Sequence, residues 1–226
     1  KQMIETNVLF KAGTLMRKQN YETRDTKERI LEAAGEIFVA HGFQSATVRE
    51  ICGKAGVNVA AINYHFRDKE GLYLATLRYC REISFKKYPV YPDVKESEPP
   101  RKKAEVVHPF LRVQGLEEGK TSRFAKLVAK EYVQPTNALD VLVKETMRPA
   151  FTRLFAIVRQ LAGKGADDKT VRYCCMSIIG QFLFFLYARP VMKRLFKKAS
   201  FRPEEIAAIA EHITLFSLRA IRGLKG

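Results

Sequence analysis

Between Thr47 and Lys69 the chain gathers side chains whose types and spacing suit recognition of a nucleic acid: Thr47, Asn58, Asn63, Tyr64, His65 and Lys69. An amide such as Asn58 or Asn63 can pair with an adenine edge through two hydrogen bonds, and hydroxyl, imidazole and ammonium groups suit phosphate oxygens, which set register. Val59, Ala60 and Ala61 offer methyl groups to thymine or allow close approach to base edges. This is reversible binding chemistry. No paired carboxylates, Ser-His-Asp set, HExxH pattern or glycine-rich phosphate loop supports an enzyme, and no organic cofactor or metal is expected.

The elements that must position these groups follow from local signals. Thr47 stands three residues before Glu50, the spacing of a capping box, so a helix is expected from Val48, with Ile51 and Ala55 on one face. Gly56 follows where a helix end needs a left-handed residue. Asn58 then caps a second helix in which Val59, Ile62 and Phe66 recur at three- and four-residue spacing. An eight-residue helix is about 12 Å long, the width of the B-DNA major groove. The pair reads as a helix-turn-helix.

The residues TKERILEAAGEIFVAHGF at 26 to 43, TVREI at 47 to 51, AGVN at 55 to 58, YHF at 64 to 66 and DKEGLY at 68 to 73 together resemble the DNA-binding domain of the TetR family of bacterial regulators. The family usually carries a tyrosine two residues before the histidine; here that position is Asn63, and Tyr64 stands beside His65. The phosphate contact expected of position 63 would then pass to Tyr64. The resemblance also implies that Lys69 faces a phosphate at a helix N-terminus.

Forty basic and 24 acidic side chains give +16, a balance that favours polyanion partners. Residues 1–80 contribute only 12 basic against 9 acidic groups, so net charge by itself does not locate the DNA site. The four cysteines, Cys52, Cys80, Cys174 and Cys175, form no CxxC or metal-ligand pattern and read as buried thiols in a reducing cytoplasm.

Along the chain, residues 1–25 read as a basic or flexible N-terminal arm, 26–80 as the helix-turn-helix domain, and 81–226 as a helical ligand-binding and dimerisation domain. Asp25 is the expected cap of the first helix, and Lys27 and Arg29 are candidate phosphate contacts. Asp68 is expected to cap a long helix carrying Leu72, Thr76, Tyr79, Cys80 and Ile83 towards Pro89; residues 89–100 read as a loop. Further helices are expected over 105–116, 122–133, 138–161 with a kink at Pro149, 169–188 and 204–222. No stretch alternates as a strand does. The fold class is all-α.

Residues 171–187 are apolar nearly all round, yet too short to span a bilayer and interrupted by Gln181, so no membrane association is expected. A second copy of the chain is the natural cover for such a helix. In the last helix, Ile206, Ile209, Ile213, Phe216 and Ala220 are expected on one face with Leu215 and Leu218 beside it. The segments AKLVAKEYVQPTNALD, MRPAF, CCMSIIGQFLFFLYARPVMKRL and AEHITLFSLRAIR resemble the CecR-like subgroup of the family. The resemblance implies a homodimer through the last two long helices, about 169–188 and 204–222. It also implies a palindromic DNA operator, and a small-molecule effector that releases the protein by moving the helix from Lys69 to Tyr88. Polar residues among apolar ones mark a candidate effector pocket: His108, Glu131 and Gln181, with Phe185 as an aromatic wall. An activator or an effector-independent DNA-binding protein is the alternative.

Overall fold

The computed structural model describes residues 25–87, 122–163, 165–196 and 202–224. Residues 1–24 of the arm, the loop at 89–100, the helix expected at 105–116 and His108 within it lie outside these. Every regular element among the described residues is helical. The chain divides into two compact units, Lys1–Tyr79 and Cys80–Gly226.

In the first unit, helix α1 spans residues 25–45, with Asp25 already helical, and buries Ile30, Leu31, Ala33, Ala34 and Phe38. Gly42 within it has φ 78°, the left-handed conformation that glycine adopts without strain. Helices α2 (Val48–Ala55) and α3 (Val59–Phe66) follow, then α4 (Lys69–Lys87). Phe38 meets the buried ring of Tyr73 edge-on at 4.8 Å, and Phe43 meets the same ring at 5.0 Å. The Tyr79 hydroxyl donates to Glu32 at 2.8 Å, adding a polar tie between α4 and α1. Contrary to the sequence expectation, Ile83 is exposed. The buried face of α4 runs instead through Leu72, Tyr73, Thr76, Leu77, Cys80 and Ser84, a face centred near Cys80 that leaves Ile83 towards its edge.

The second unit contains the end of α4 and helices α5 (Arg123–Val133), α6 (Ala138–Leu142), α7 (Arg148–Ala162), α8 (Asp168–Tyr187), α9 (Arg189–Leu195) and α10 (Pro203–Gly223). Its core is formed by Val158, Leu161 and Ala162 of α7, Val171, Cys175, Ile178 and Phe182 of α8, and Ile206, Ala210, Ile213, Leu218 and Ile221 of α10. The kink expected at Pro149 is a π-helical turn, Val143–Met147, in which Arg148 N–H donates to the carbonyl of Val143, five residues back. Proline has no N–H to give the Glu145 carbonyl, which explains why the ladder changes step beside it. Helix α9 is additional to the helices expected from the sequence; Pro190 occupies its first turn, where proline is tolerated.

Helix α8 is long and apolar enough to cross a membrane by length and composition, but it turns Val171, Cys175, Ile178, Phe182 and Leu186 into the core. On α10, Phe216, Leu215 and Ala220 are exposed, and Thr214 and Ser217 occupy the buried face. The expected stripe was therefore rotated: the core line is 206, 210, 213, 217 and 221. All four cysteines are free, and Cys174 packs beside the buried Cys175. Burial pushes the Cys175 thiol up to about 11, with the neighbouring Cys174 adding to the shift.

Candidate DNA interface

The local signals around α2 are realised as hydrogen bonds. Thr47 Oγ1 accepts from the Glu50 N–H at 3.2 Å, and the Glu50 carboxylate accepts from the Thr47 N–H at 2.9 Å and its hydroxyl at 2.8 Å. The Thr47 hydroxyl, then its N–H, hold the Glu50 carboxyl below the usual carboxylate range. Gly56 ends the helix at φ 66°. Asn58 Oδ1 then accepts from the Ala61 N–H at 3.0 Å, which starts α3.

Ile62 and Phe66 anchor α3 in the core, and the rest of its surface faces outward. Val59 is 43% exposed and Tyr64 80%; Asn58, Ala60 and Asn63 are also exposed, and Ala61 is half-buried. A helix held by two apolar anchors with its opposite face free can enter a groove as a rigid unit. The half-buried His65 ring lies between Tyr64, edge-on at 5.0 Å, and Phe66 at 5.9 Å. Lys69 is set in place without DNA: Nζ donates to the Gln44 carbonyl at 3.1 Å and sits 4.8 Å from the Phe43 ring centre. An ammonium has three donors, so Lys69 keeps capacity for a phosphate.

Three features escaped sequence reasoning. Arg29 is a brace rather than a free cation: Nη2 donates to the carbonyls of Ala55 at 2.7 Å and Gly56 at 3.3 Å, satisfying the end of α2. Arg67 has φ 74° and ψ −54°, and the Asp68 N–H donates to the Phe66 carbonyl at 2.9 Å, so a strained γ-turn joins α3 to α4. Gly71 is required by close approach, because a Cβ there would overlap the Phe66 carbonyl oxygen. A glycine in the first turn of an otherwise regular helix was the available sign, since glycine disfavours helix. Arg49, exposed on the first turn of α2, is a further cation of this unit.

Of the candidate effector residues, Glu131, Gln181 and Phe185 fall among the described residues. Glu131 is 1% exposed, and its carboxylate accepts from the Thr136 N–H at 3.0 Å and from the Thr136 hydroxyl at 3.0 and 3.1 Å. A buried carboxylate is thereby satisfied by the turn that follows its own helix. Gln181 Nε2 donates to the Ser177 carbonyl at 3.4 Å and Ser217 Oγ at 3.5 Å, linking α8 to α10. Phe185 packs against the core from the same helix.

Comparison with known proteins matches this arrangement. The family described as bacterial regulatory proteins, tetR family, matches residues 30–76, and the family described as the C-terminal domain of the HTH-type transcriptional dual regulator CecR matches residues 104–221. The chain is 25% identical over 206 residues to the HTH-type transcriptional dual regulator CecR of Shigella flexneri, covering 88% of this chain and 92% of that one. It is 42% identical over 59 residues to the HTH-type transcriptional repressor AcnR of Corynebacterium diphtheriae, 26% of this chain and 31% of the relative. A transcriptional regulator from Rhodococcus sp. Rha1 shares the fold at a TM-score of 0.61 and 19% identity, over 86% of this chain and 96% of the other. With an outward-facing recognition helix in its first unit and more than half of its length matched by the second family, the chain belongs to the TetR family of regulators, with a CecR-type C-terminal domain, and is a DNA-binding regulator of transcription rather than an enzyme.

Proposed function

We propose that the protein is a homodimeric repressor that binds a palindromic operator and is released by a small-molecule effector. The observation that carries the dimer is an apolar surface on the two helices expected to pair. Tyr173 and Met176 of α8 are 57% and 53% exposed, Phe184 is 54% exposed two to three turns on, and Phe216 of α10 is 57% exposed. Side chains of this size in one unit of a single chain favour a partner surface. Gly180, on the same helix, has open space where a Cβ would stand, which allows close approach of another helix.

An eight-residue recognition helix reads few base pairs, and a twofold pair would read two half-sites about 34 Å apart. Within each half-site, Asn58, Val59, Ala60, Ala61 and Asn63 face bases; Thr47, Tyr64, His65 and Lys69 hold phosphates. Effector binding in the second domain would move α4 and change the half-site spacing. The free cysteines support a reducing, cytoplasmic setting. Activation is the second reading, favoured by the name of the Shigella flexneri relative, a dual regulator.

Selection of bound DNA from a random library tests the core of this reading. An enriched palindrome is expected, with binding lost in a Phe184→Glu, Phe216→Glu variant that elutes as a monomer. Sequence-independent binding with a steep salt slope would overturn it.

A further inference from the structure

Arg81 lies on α4 two residues past the boundary of the first unit, and its guanidinium is committed to the π-helical turn of the second. Nη1 donates to Glu145 Oε2 at 3.2 Å and to Thr146 Oγ1 at 3.1 Å. The two charged side chains are only 21% and 30% exposed, so their attraction is screened less than that of a surface pair.

The turn that supplies the acceptors is unusual for a physical reason. Its hydrogen bonds reach five residues, so each turn holds more residues than an α-turn and successive side chains diverge less. Adjacent Glu145 and Thr146 can therefore converge on one nitrogen. Pro149 lines the same surface, and together with Arg81, Glu82, Phe85, Lys86 and Glu145 it borders an open groove of about 480 Å³. A small molecule settling there would touch both partners of the ion pair. Phe85, one turn beyond Arg81, packs edge-on against Phe124 of α5 at 6.0 Å, giving α4 an apolar pivot beside the polar tie.

We infer that Arg81, Glu145 and Thr146 form a latch that sets the position of α4, and that operator affinity depends on this latch although none of the three residues contacts DNA. This rests on the repressor reading above. Arg81 is a positioning residue: it acts on the recognition helix through the continuous α4, and at the head of α4 Gly71 and the Phe66 carbonyl fix α3. Opening the latch loosens the angle at which α3 is presented.

The test is a double-mutant cycle on the full-length chain, with operator DNA selected by the wild type. Arg81→Glu and Glu145→Arg are each expected to lower operator affinity about tenfold, within the usual 5- to 150-fold range of coupling between sites. The combined swap is expected to return affinity to within about twofold of wild type. Singles that bind like wild type, or a swap no better than the singles, would overturn the latch. If a charge reversal fails to fold, Arg81→Gln and Glu145→Gln replace it, and the double Gln variant should then lose no more than either single. Amide hydrogen exchange of α4 in Arg81→Gln supplies a DNA-independent readout. Faster exchange over residues 69–79 supports the latch, and unchanged exchange overturns it. A wild type that selects no operator defeats the repressor reading instead, and the exchange result still decides the latch.

Discussion

The guanidinium of Arg29 on α1 donates a 2.7 Å hydrogen bond to the carbonyl of Ala55, the last residue of α2. A cation at a helix C-terminus satisfies an orphan carbonyl and the negative end of the dipole together. Its i to i+4 partner Asp25, 3.9 Å away and largely exposed, adds little. Arg29→Ala should lower unfolding free energy by about 1 kcal/mol in urea melts. The slope of operator affinity against salt should not change, whereas loss of a true phosphate contact would reduce it by about 0.9.

The γ-turn at Arg67 and the close approach at Gly71 give opposite predictions for neighbouring positions. Gly71→Ala forces a methyl group onto the Phe66 carbonyl and should cost about 1–3 kcal/mol, with weaker operator binding. Arg67→Gly removes a Cβ from a residue at φ 74° and should raise stability by about 1 kcal/mol. Thermal melts of both variants check the pair, and a loss of stability in Arg67→Gly contradicts the strained turn.

The capping box carries a pH dependence whose sign is fixed. The Thr47 hydroxyl and N–H hold the folded-state Glu50 carboxyl below its ordinary value, so the stabilisation is complete above the ordinary carboxylate range. It is lost as pH falls through the lowered value. Wild type should therefore exceed Glu50→Gln in stability at neutral pH, and the gap should close in acid. A gap that widened on acidification would contradict this assignment.

Thr136 supplies N–H and hydroxyl donors to the buried Glu131 carboxylate. Thr136→Val removes the hydroxyl and leaves the charge short of partners, at an expected cost of about 1–3 kcal/mol by chemical denaturation. Operator affinity measured on the folded fraction should stay near wild type.

Tyr64, 80% exposed, is proposed to hold a phosphate through its hydroxyl. Tyr64→Phe should weaken binding about tenfold and uniformly across operator variants, without changing the melting temperature. A loss confined to particular base pairs would make Tyr64 a base-reading residue instead.

The recognition unit was legible in the sequence because its determinants are local. A capping box spans three residues, an αL glycine acts on its own backbone, and Asn58 bonds an amide three residues ahead. Apolar spacing likewise announced the all-α class and the outward face of α3. What the sequence left open depends on residues far apart in the chain. Arg29 reads as a surface cation until residues 55 and 56 are folded beneath it, and Lys69 reads as free until Gln44 and Phe43 are. On α10 the sequence suggested a stripe through Ile213, Phe216 and Ala220, and packing against α7 and α8 selected the one through Ile213 and Ser217 instead, leaving Phe216 outside. The same holds for Arg81 and Glu145, 64 residues apart. Short-range hydrogen bonding and periodicity are encoded residue by residue, whereas the partner of a long side chain is decided only when the tertiary fold brings a distant carbonyl or carboxylate within about 3 Å of it.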